Sequence, residues 1–213
     1  MPAVIAVVGG SGLYVRALLD RMEFPGTDLA TRTRLEADLD RVGPRALHAQ
    51  LVDKDPAAAA AILPTNGRRI VRALEVIELT GRPFSAGLPS YESVFDAVQI
   101  GLDAEDATLD ARVDARVQQM FDAGFVDEVR RLERQGLREG RTACRALGYQ
   151  QVLAMLDGLL TEPEARAETA RATRRFVRRQ RSWFRRDPRV RWLAPGPDLL
   201  DRAVAAVEAG AKR

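Results

Sequence analysis

Only three short runs of this chain read as buried β-strands, and they lie far apart. Ala3 to Val8 is β-branched and stops at Gly9-Gly10. Ala97 to Leu102 is the second run and Arg189 to Leu193 the third. A complete α/β sheet usually has about five or six strands. Three do not make one. Either the fold is largely helical, or further strands precede residue 1. Most of the chain between these runs carries helical spacing.

The helical stretches have clear punctuation. Leu13 to Met22 places Leu13, Ala17 and Leu18 on one face, and Phe24-Pro25-Gly26 breaks it. Thr31 to Val42 and Pro44 to Val52 are helices split by Gly43. Asp55-Pro56 starts another, with Asp55 as N-cap and proline in the first turn. Pro64-Thr65-Asn66-Gly67 is a turn before a strong amphipathic helix, Arg68 to Thr80. Ala107 to Ala123 and Val126 to Gln135 are helices divided at Gly124. Arg138 to Arg141 is a loop before a helix over Thr142 to Leu156. Glu162 to Arg186 is the longest helix and Leu199 to Ala209 the last.

Composition excludes several classes. One cysteine, Cys144, rules out an internal disulfide, and one histidine, His48, leaves no Cys/His cluster for zinc. No apolar run is long enough to span a membrane, and no signal peptide is visible, so the protein is expected to be soluble and cytoplasmic. The net charge is only +3, but all 33 basic residues except Lys54 and Lys212 are arginine. Arginine forks bidentately onto phosphate, so its placement matters more than its abundance, which a GC-rich coding sequence also explains.

Four constellations could carry chemistry. Gly9-Gly10-Ser11-Gly12, between a strand and a helix, could hold a phosphate on backbone N–H groups and adds a hydroxyl. It is not a P-loop, because no lysine follows it. On the loop alone, a plain tight turn between strand and helix is the better reading. Arg112 and Arg116 lie one helical turn apart, with Gln119 extending their face. They could clamp a diphosphate, or form a solvated face with Asp110 and Asp114 as partners. Eleven arginines fall between Arg166 and Arg191. Arg171, Arg174, Arg178, Arg181 and Arg185 make one stripe, and no acid occurs from Thr169 to Arg186, which favours a polyanion. Ala172, Phe176 and Trp183 form the adjacent apolar face expected to dock the helix, with Trp183 and Trp192 as core anchors. Finally, Arg68, Arg69 and Arg72 open one helix, and Arg145-Ala146-Leu147-Gly148-Tyr149-Gln150 places an arginine, a glycine and an aromatic where a base could approach.

The order of these motifs is more specific than any one of them. Gly9-Gly-Ser-Gly-Leu-Tyr14, Pro64-x-Asn-x-Arg-Arg69, Arg72-Ala-Leu-Glu75, Arg112-x-x-x-Arg116-Val, Met120-x-x-x-Gly124-Phe, Gly148-Tyr149 and Arg179-Gln180-x-x-Trp183-Phe-Arg185 occur in sequence. Together they resemble the C-terminal two-thirds of bacterial tRNA dimethylallyltransferases (tRNA isopentenyltransferases). The resemblance implies an α/β fold, mostly helical here, with a partial P-loop-kinase-like core of few parallel strands and a large helical insertion. It implies core segments at 1–24 and 92–213 and a tRNA-binding insertion at 25–91. The implied reaction transfers a dimethylallyl group from its diphosphate, with Mg2+ on that diphosphate, to N6 of adenine 37 beside the anticodon.

The resemblance also implies roles. Arg116 and Ser11 stand at the catalytic centre, with Ser11 where the family usually has threonine. Arg112, Arg116, Gly9 and Gly10 would meet the diphosphate. Ser11, Arg32, Arg68, Arg69, Ile70, Val71, Arg72, Arg145, Ala146, Leu147, Gly148, Tyr149, Gln150, Arg178 and Arg181 would meet the tRNA anticodon stem-loop. A monomer is expected. The family's P-loop and Asp-Ser-x-Gln-type motif are absent from this sequence, which is expected to start downstream of them and to be inactive alone. The other reading is a non-catalytic RNA-binding fragment.

Overall fold

The computed structural model describes residues 5–87, 91–140 and 142–210. The chain divides into two compact units, Leu13–Asp96 and Met1–Gly12 with Ala97–Arg213. Among the described residues the structure is mostly helical, with one small sheet.

The unit over Leu13–Asp96 is built on α1 (Gly12–Leu19), α2 (Leu29–Lys54), α3 (Pro56–Ala61) and α4 (Gly67–Thr80). Helix α2 is kinked where expected. Gly43 has φ +80°, a conformation disfavoured for residues with a Cβ, and Pro44 restarts the helix. Asp55 caps α3 as expected, its carboxylate accepting from the Ala58 amide at 3.0 Å. The same buried carboxylate also accepts from the Ser85 amide and hydroxyl, at 2.7 and 2.9 Å, and so ties a distant turn to the cap. Leu35, Leu47 and Leu51 from α2 meet Ile70 and Leu74 from α4, all fully buried. Each such side chain contributes roughly 1.5–3 kcal/mol.

A charge lies inside this apolar layer. Glu75 of α4 is completely buried. Arg32 of α2 donates to it at 2.5 and 3.3 Å, and Arg72, one turn earlier on α4, donates at 2.7 Å. Arg72 also donates to the carbonyls of Pro25 and Gly26. One carboxylate thus fixes α2, α4 and the segment leading into α2. Burial pushes the Glu75 carboxyl up, but the two guanidiniums outweigh it and hold its pKa below the ordinary 4.5.

The other unit contains β1 (Gln99–Leu102), α5 (Asp106–Asp122), α6 (Phe125–Glu133), α7 (Tyr149–Leu156), α8 (Glu162–Phe184), β2 (Val190–Leu193) and α9 (Leu199–Gly210). The two strands pair in parallel, Gln99 opposite Val190 and Leu102 opposite Leu193, so the helices between them form the crossover. Trp192 lies over Gly101, where a side chain would collide with the indole. The core gathers Val117 and Phe121 of α5, Phe125 and Val129 of α6, Val152 of α7 and Ala165 of α8. Phe121 and Phe125 meet edge to face at 5.4 Å.

Two expectations are corrected. Ala3 to Val8 is not a buried strand: residues 5–8 have no regular structure, and Ile5 and Val8 are 86% and 96% exposed, while residues 3 and 4 lie outside the described residues. No described strand pairs with the segment, so its β-branched residues have no ladder to join. Nor does a helix cover Thr142 to Leu156. Ala143–Arg145 is a single 3-10 turn and α7 begins only at Tyr149, because Gly148 takes φ +89° and reverses the chain. Arg141 lies outside the described residues.

Glu75→Ala is expected to cost about 3 kcal/mol in urea unfolding, the low end for a broken buried pair, since both arginines keep some water contact. Because the folded pKa of Glu75 is depressed, its stabilisation is complete above the ordinary carboxylate range and is lost as pH falls through the folded value. Glu75→Gln should therefore flatten the fall in Tm below about pH 4.5 in a calorimetric series. Gly148→Ala meets both a left-handed backbone and the Phe125 ring at 2.8 Å, and should cost about 1–3 kcal/mol by the same unfolding measurement.

Candidate RNA and diphosphate site

Helix α8 organises the candidate site, and its arginines fall into two groups. The stripe expected to face a polyanion is met by acids from another element. Arg174 pairs with Asp114 and Arg178 with Asp110, the latter at 2.7 Å. Arg181 pairs with Asp106 and, at 2.7 Å, with Asp103, which also takes Arg185 at 2.8 Å. Arg171 pairs with Glu168 on α8 itself. Hydrogen bonds from Arg185 and Arg181 hold the Asp103 carboxyl below its ordinary pKa, so it stays ionised near neutrality. The stripe is free of acids in sequence but not in space. The signal was present: Asp106, Asp110 and Asp114 repeat at the helical spacing of the arginines they meet.

That pairing releases Arg112 and Arg116. Asp110 and Asp114, the partners a solvated face would require, are turned toward α8. Among the described residues Arg112 and Arg116 form no ion pair, and both are exposed on α5. Two exposed guanidiniums one turn apart, without an acid partner among the described residues, have the chemistry to accept an anion.

The glycine loop rests against α8. Gln180 Nε2 donates to the Gly10 carbonyl at 2.8 Å. A side chain at Gly10 would strike Gln180, and one at Gly12 would strike the Trp183 indole, whereas Gly9 faces open space. Trp183 is therefore not a core anchor. It is 41% exposed and forms a wall behind the loop, and Phe176, expected on the docking face, is equally exposed. Ser11 is exposed just before α1. Sequence reasoning missed Gln180 and Trp183 as supports of this loop. The two glycines that admit no side chain were the available sign.

The segment Arg145–Gln150 is held from behind. Arg145, Ala146, Leu147 and Gln150 are exposed, and Arg145 has no acid partner among the described residues. Gly148 is buried against Phe125, and its amide donates to the Gln151 side chain at 2.9 Å. The Tyr149 hydroxyl donates to Glu128 of α6 at 2.6 Å, while its ring lies 5.6 Å from that of Phe125. This hydrogen bond first, and burial second, push the Tyr149 pKa up, so the phenol stays protonated.

In the other unit, Arg68 and Arg69 project from the first turn of α4, exposed and without acid partners among the described residues. Ile70 and Val71 are buried in the core. Arg32 and Arg72 are engaged by Glu75. No group of three or more His, Cys, Asp or Glu residues that could hold a metal occurs among the described residues. No described helix is long and apolar enough to cross a membrane.

Comparison with known proteins gives the family of the chain. The family model for IPP transferase matches residues 3–187. The tRNA dimethylallyltransferase of Streptomyces coelicolor is 67% identical over 190 residues, covering 89% of this chain and 61% of that protein. The enzyme of the same name from Thermobifida fusca is 64% identical over 205 residues, covering 96% and 64%. The chain thus spans roughly three-fifths of the length of the curated relatives it matches. Among solved structures, the full-length tRNA isopentenylpyrophosphate transferase of Bacillus halodurans matches at 35% identity and a TM-score of 0.58, over 94% of this chain and 66% of that one. A eukaryotic dimethylallyltransferase acting on tRNA shares the fold, with a TM-score of 0.77 at 21% identity, over 96% and 56%. With most of its length matched by the family model and two-thirds of aligned positions shared with the Streptomyces coelicolor protein, the chain belongs to the IPP transferase family.

Proposed function

We propose that this chain carries the leaving-group clamp and part of the RNA grip of a tRNA dimethylallyltransferase. The transfer joins C1 of dimethylallyl diphosphate to N6 of adenine 37, beside the anticodon of cytoplasmic tRNAs that read codons beginning with U. The C1–O bond breaks, the diphosphate departs with the bonding pair, and the amine gives up a proton. The observation that carries this reading is the freedom of Arg112 and Arg116 on a helix whose aspartates are engaged elsewhere. Charge develops on the diphosphate as the bond breaks, and fixed cations stabilise that charge more than the bound ground state. The relatives' name, tRNA dimethylallyltransferase, supports tRNA as the acceptor of a dimethylallyl group.

Each remaining part has a defined task. The glycine loop offers the open side of Gly9 and the Ser11 hydroxyl to the diphosphate and the reacting base. Arg68, Arg69 and Arg145 are the unpaired cations of the two RNA-facing segments, suited to backbone contacts that position the stem-loop. Arg32, Arg72 and Tyr149 act from behind by holding those segments in shape. Mg2+ enters with the diphosphate as part of the substrate, since the described residues offer no carboxylate cage for it. The working form is a monomer.

A second reading has one observation in its favour. These 213 residues include no Asp-Ser-x-Gln run and no lysine following a glycine turn. The chain would then bind RNA without turnover. One assay separates the readings: pure chain, tRNA and dimethylallyl diphosphate, with isopentenyladenosine measured by mass spectrometry. Product supports transfer, while RNA binding with no product supports the binding chain.

Two substitution series test the parts. Arg116→Ala should weaken dimethylallyl diphosphate binding by about tenfold to a hundredfold in calorimetry, and Arg116→Lys should recover only part of it. Unchanged affinity in Arg116→Ala would remove the arginine from the site. Arg68→Ala with Arg69→Ala should lower the slope of log K against log salt for an anticodon stem-loop by about 1.4. An unchanged slope would place both arginines off the RNA.

A further inference from the structure

The pairs that join α5 to α8 keep a fixed antiparallel register. Asp106 meets Arg181, Asp110 meets Arg178, Asp114 meets Arg174, and Asp122 meets Arg166 at 2.8 Å. Asp103, just before α5, adds Arg181 and Arg185. The ladder is more exposed on its acid side: the side chains of Asp106 and Asp114 are 63% and 53% exposed and Asp103 and Asp110 about a third, while Arg178 and Arg185 are about half exposed and Arg174 and Arg181 are 27% and 19% exposed. Pairs of this kind are worth about 0–1 kcal/mol each and are screened by salt. A weakly held carboxylate on a guanidinium fork can be replaced by a phosphate, which fits the same fork. The register therefore adds little rigidity but changes how the arginine face looks to a polyanion.

That face has an entry point. A cleft of about 410 Å³ is lined by Asp106, Arg178, Arg181, Ser182, Arg185 and Arg186. Arg186 has no acid partner among the described residues, and Arg181 Nε is buried without a hydrogen-bond partner. The N-cap residue of α5, Glu105, makes no side-chain hydrogen bond to that helix. The cleft thus has donors in excess of acceptors, with Asp106 among the carboxylates that moderate it.

We propose that Asp103, Asp106, Asp110 and Asp114 are specificity-determining residues that mask the α8 arginines from RNA lacking other contacts with the chain. The inference rests on the RNA-binding reading above. An RNA held elsewhere on the same unit, by Arg145, brings phosphates to α8 at high effective concentration, and these replace the carboxylates. An RNA without those contacts meets a face whose charge is largely cancelled.

The test uses Asp106→Asn, Asp110→Asn and Asp114→Asn together, which keep side-chain shape and a carbonyl acceptor while removing three negative charges. Two RNAs are compared by filter binding across a salt series: an anticodon stem-loop with A36-A37-A38, and an unrelated stem-loop of equal length. The variant should bind the unrelated RNA about tenfold or more tightly near 0.1 M salt, with a salt slope steeper by about 2. Its gain on the anticodon stem-loop should be several-fold smaller, so discrimination falls. Equal gains on both RNAs, or no gain with a lowered Tm, overturn the proposal and leave the ladder purely structural. If neither wild type nor variant binds either RNA, the RNA-binding reading itself fails. Should the triple variant not fold by circular dichroism, Asp110→Asn alone decides: a gain confined to the unrelated RNA supports the mask, and its absence overturns it.

Discussion

The pairing of α5 carboxylates with α8 guanidiniums decides which cations of the larger unit are engaged and which are available. By turning Asp110 and Asp114 toward α8, the helix leaves Arg112 and Arg116 exposed and without a counter-ion among the described residues. Had the same aspartates folded back along α5, an ion pair within one helix would have satisfied both arginines at small energetic gain. Whether these two arginines are available to an anion thus depends on which way the α5 aspartates point, not on any property of the arginines alone. Helix α8 also backs the glycine loop through Gln180 and Trp183, so one element both engages the α5 aspartates and supports the loop.

The unit over Leu13–Asp96 applies the same logic with a buried charge. Glu75 collects Arg32 and Arg72, and Arg72 reaches on to the carbonyls of Pro25 and Gly26. Taking a carboxylate out of water costs several kcal/mol unless its lone pairs are met, and here two guanidiniums meet them. The result is a fixed α2–α4 pair from whose end Arg68 and Arg69 project freely. An arginine in this chain can therefore serve a ligand directly or hold the frame that presents another arginine. Composition does not distinguish the two.

Much of the fold was legible because its signals are local. The Asp55 cap, the Gly43 break and the apolar stripe of α4 are each written within a few residues, and each appears where expected. The family was legible from the order of motifs. What the sequence concealed was pairing between distant segments. The arginines from Arg174 to Arg185 read as a polyanion face because no acid lies beside them in the chain, yet their partners sit on α5 and at Asp103 just before it, 60 to 82 positions away. Ala3 to Val8 has the composition of a strand, but strand formation needs a neighbour, and among the described residues none pairs with it. Trp183 reads as a core anchor by residue type, although its packing is set by a glycine whose missing side chain makes room for it.

A functional reading of an arginine-rich chain therefore has to begin with its acids. An aspartate at helical spacing removes a guanidinium from service on whichever helix it faces, and frees those on its own. The energetics make this assignment reversible at the surface. Exposed pairs worth about 1 kcal/mol or less hold arginines in place against solvent but yield to a phosphate backbone delivered by other contacts. The buried Glu75 does not yield, because its guanidiniums cannot leave without stranding a carboxylate in the core. The depth of the acid thus separates arginines that could change partner on binding RNA from those that hold the fold. That distinction places Arg178 in the first class and Arg32 and Arg72 in the second, with Arg181, 19% exposed and its Nε buried, between them.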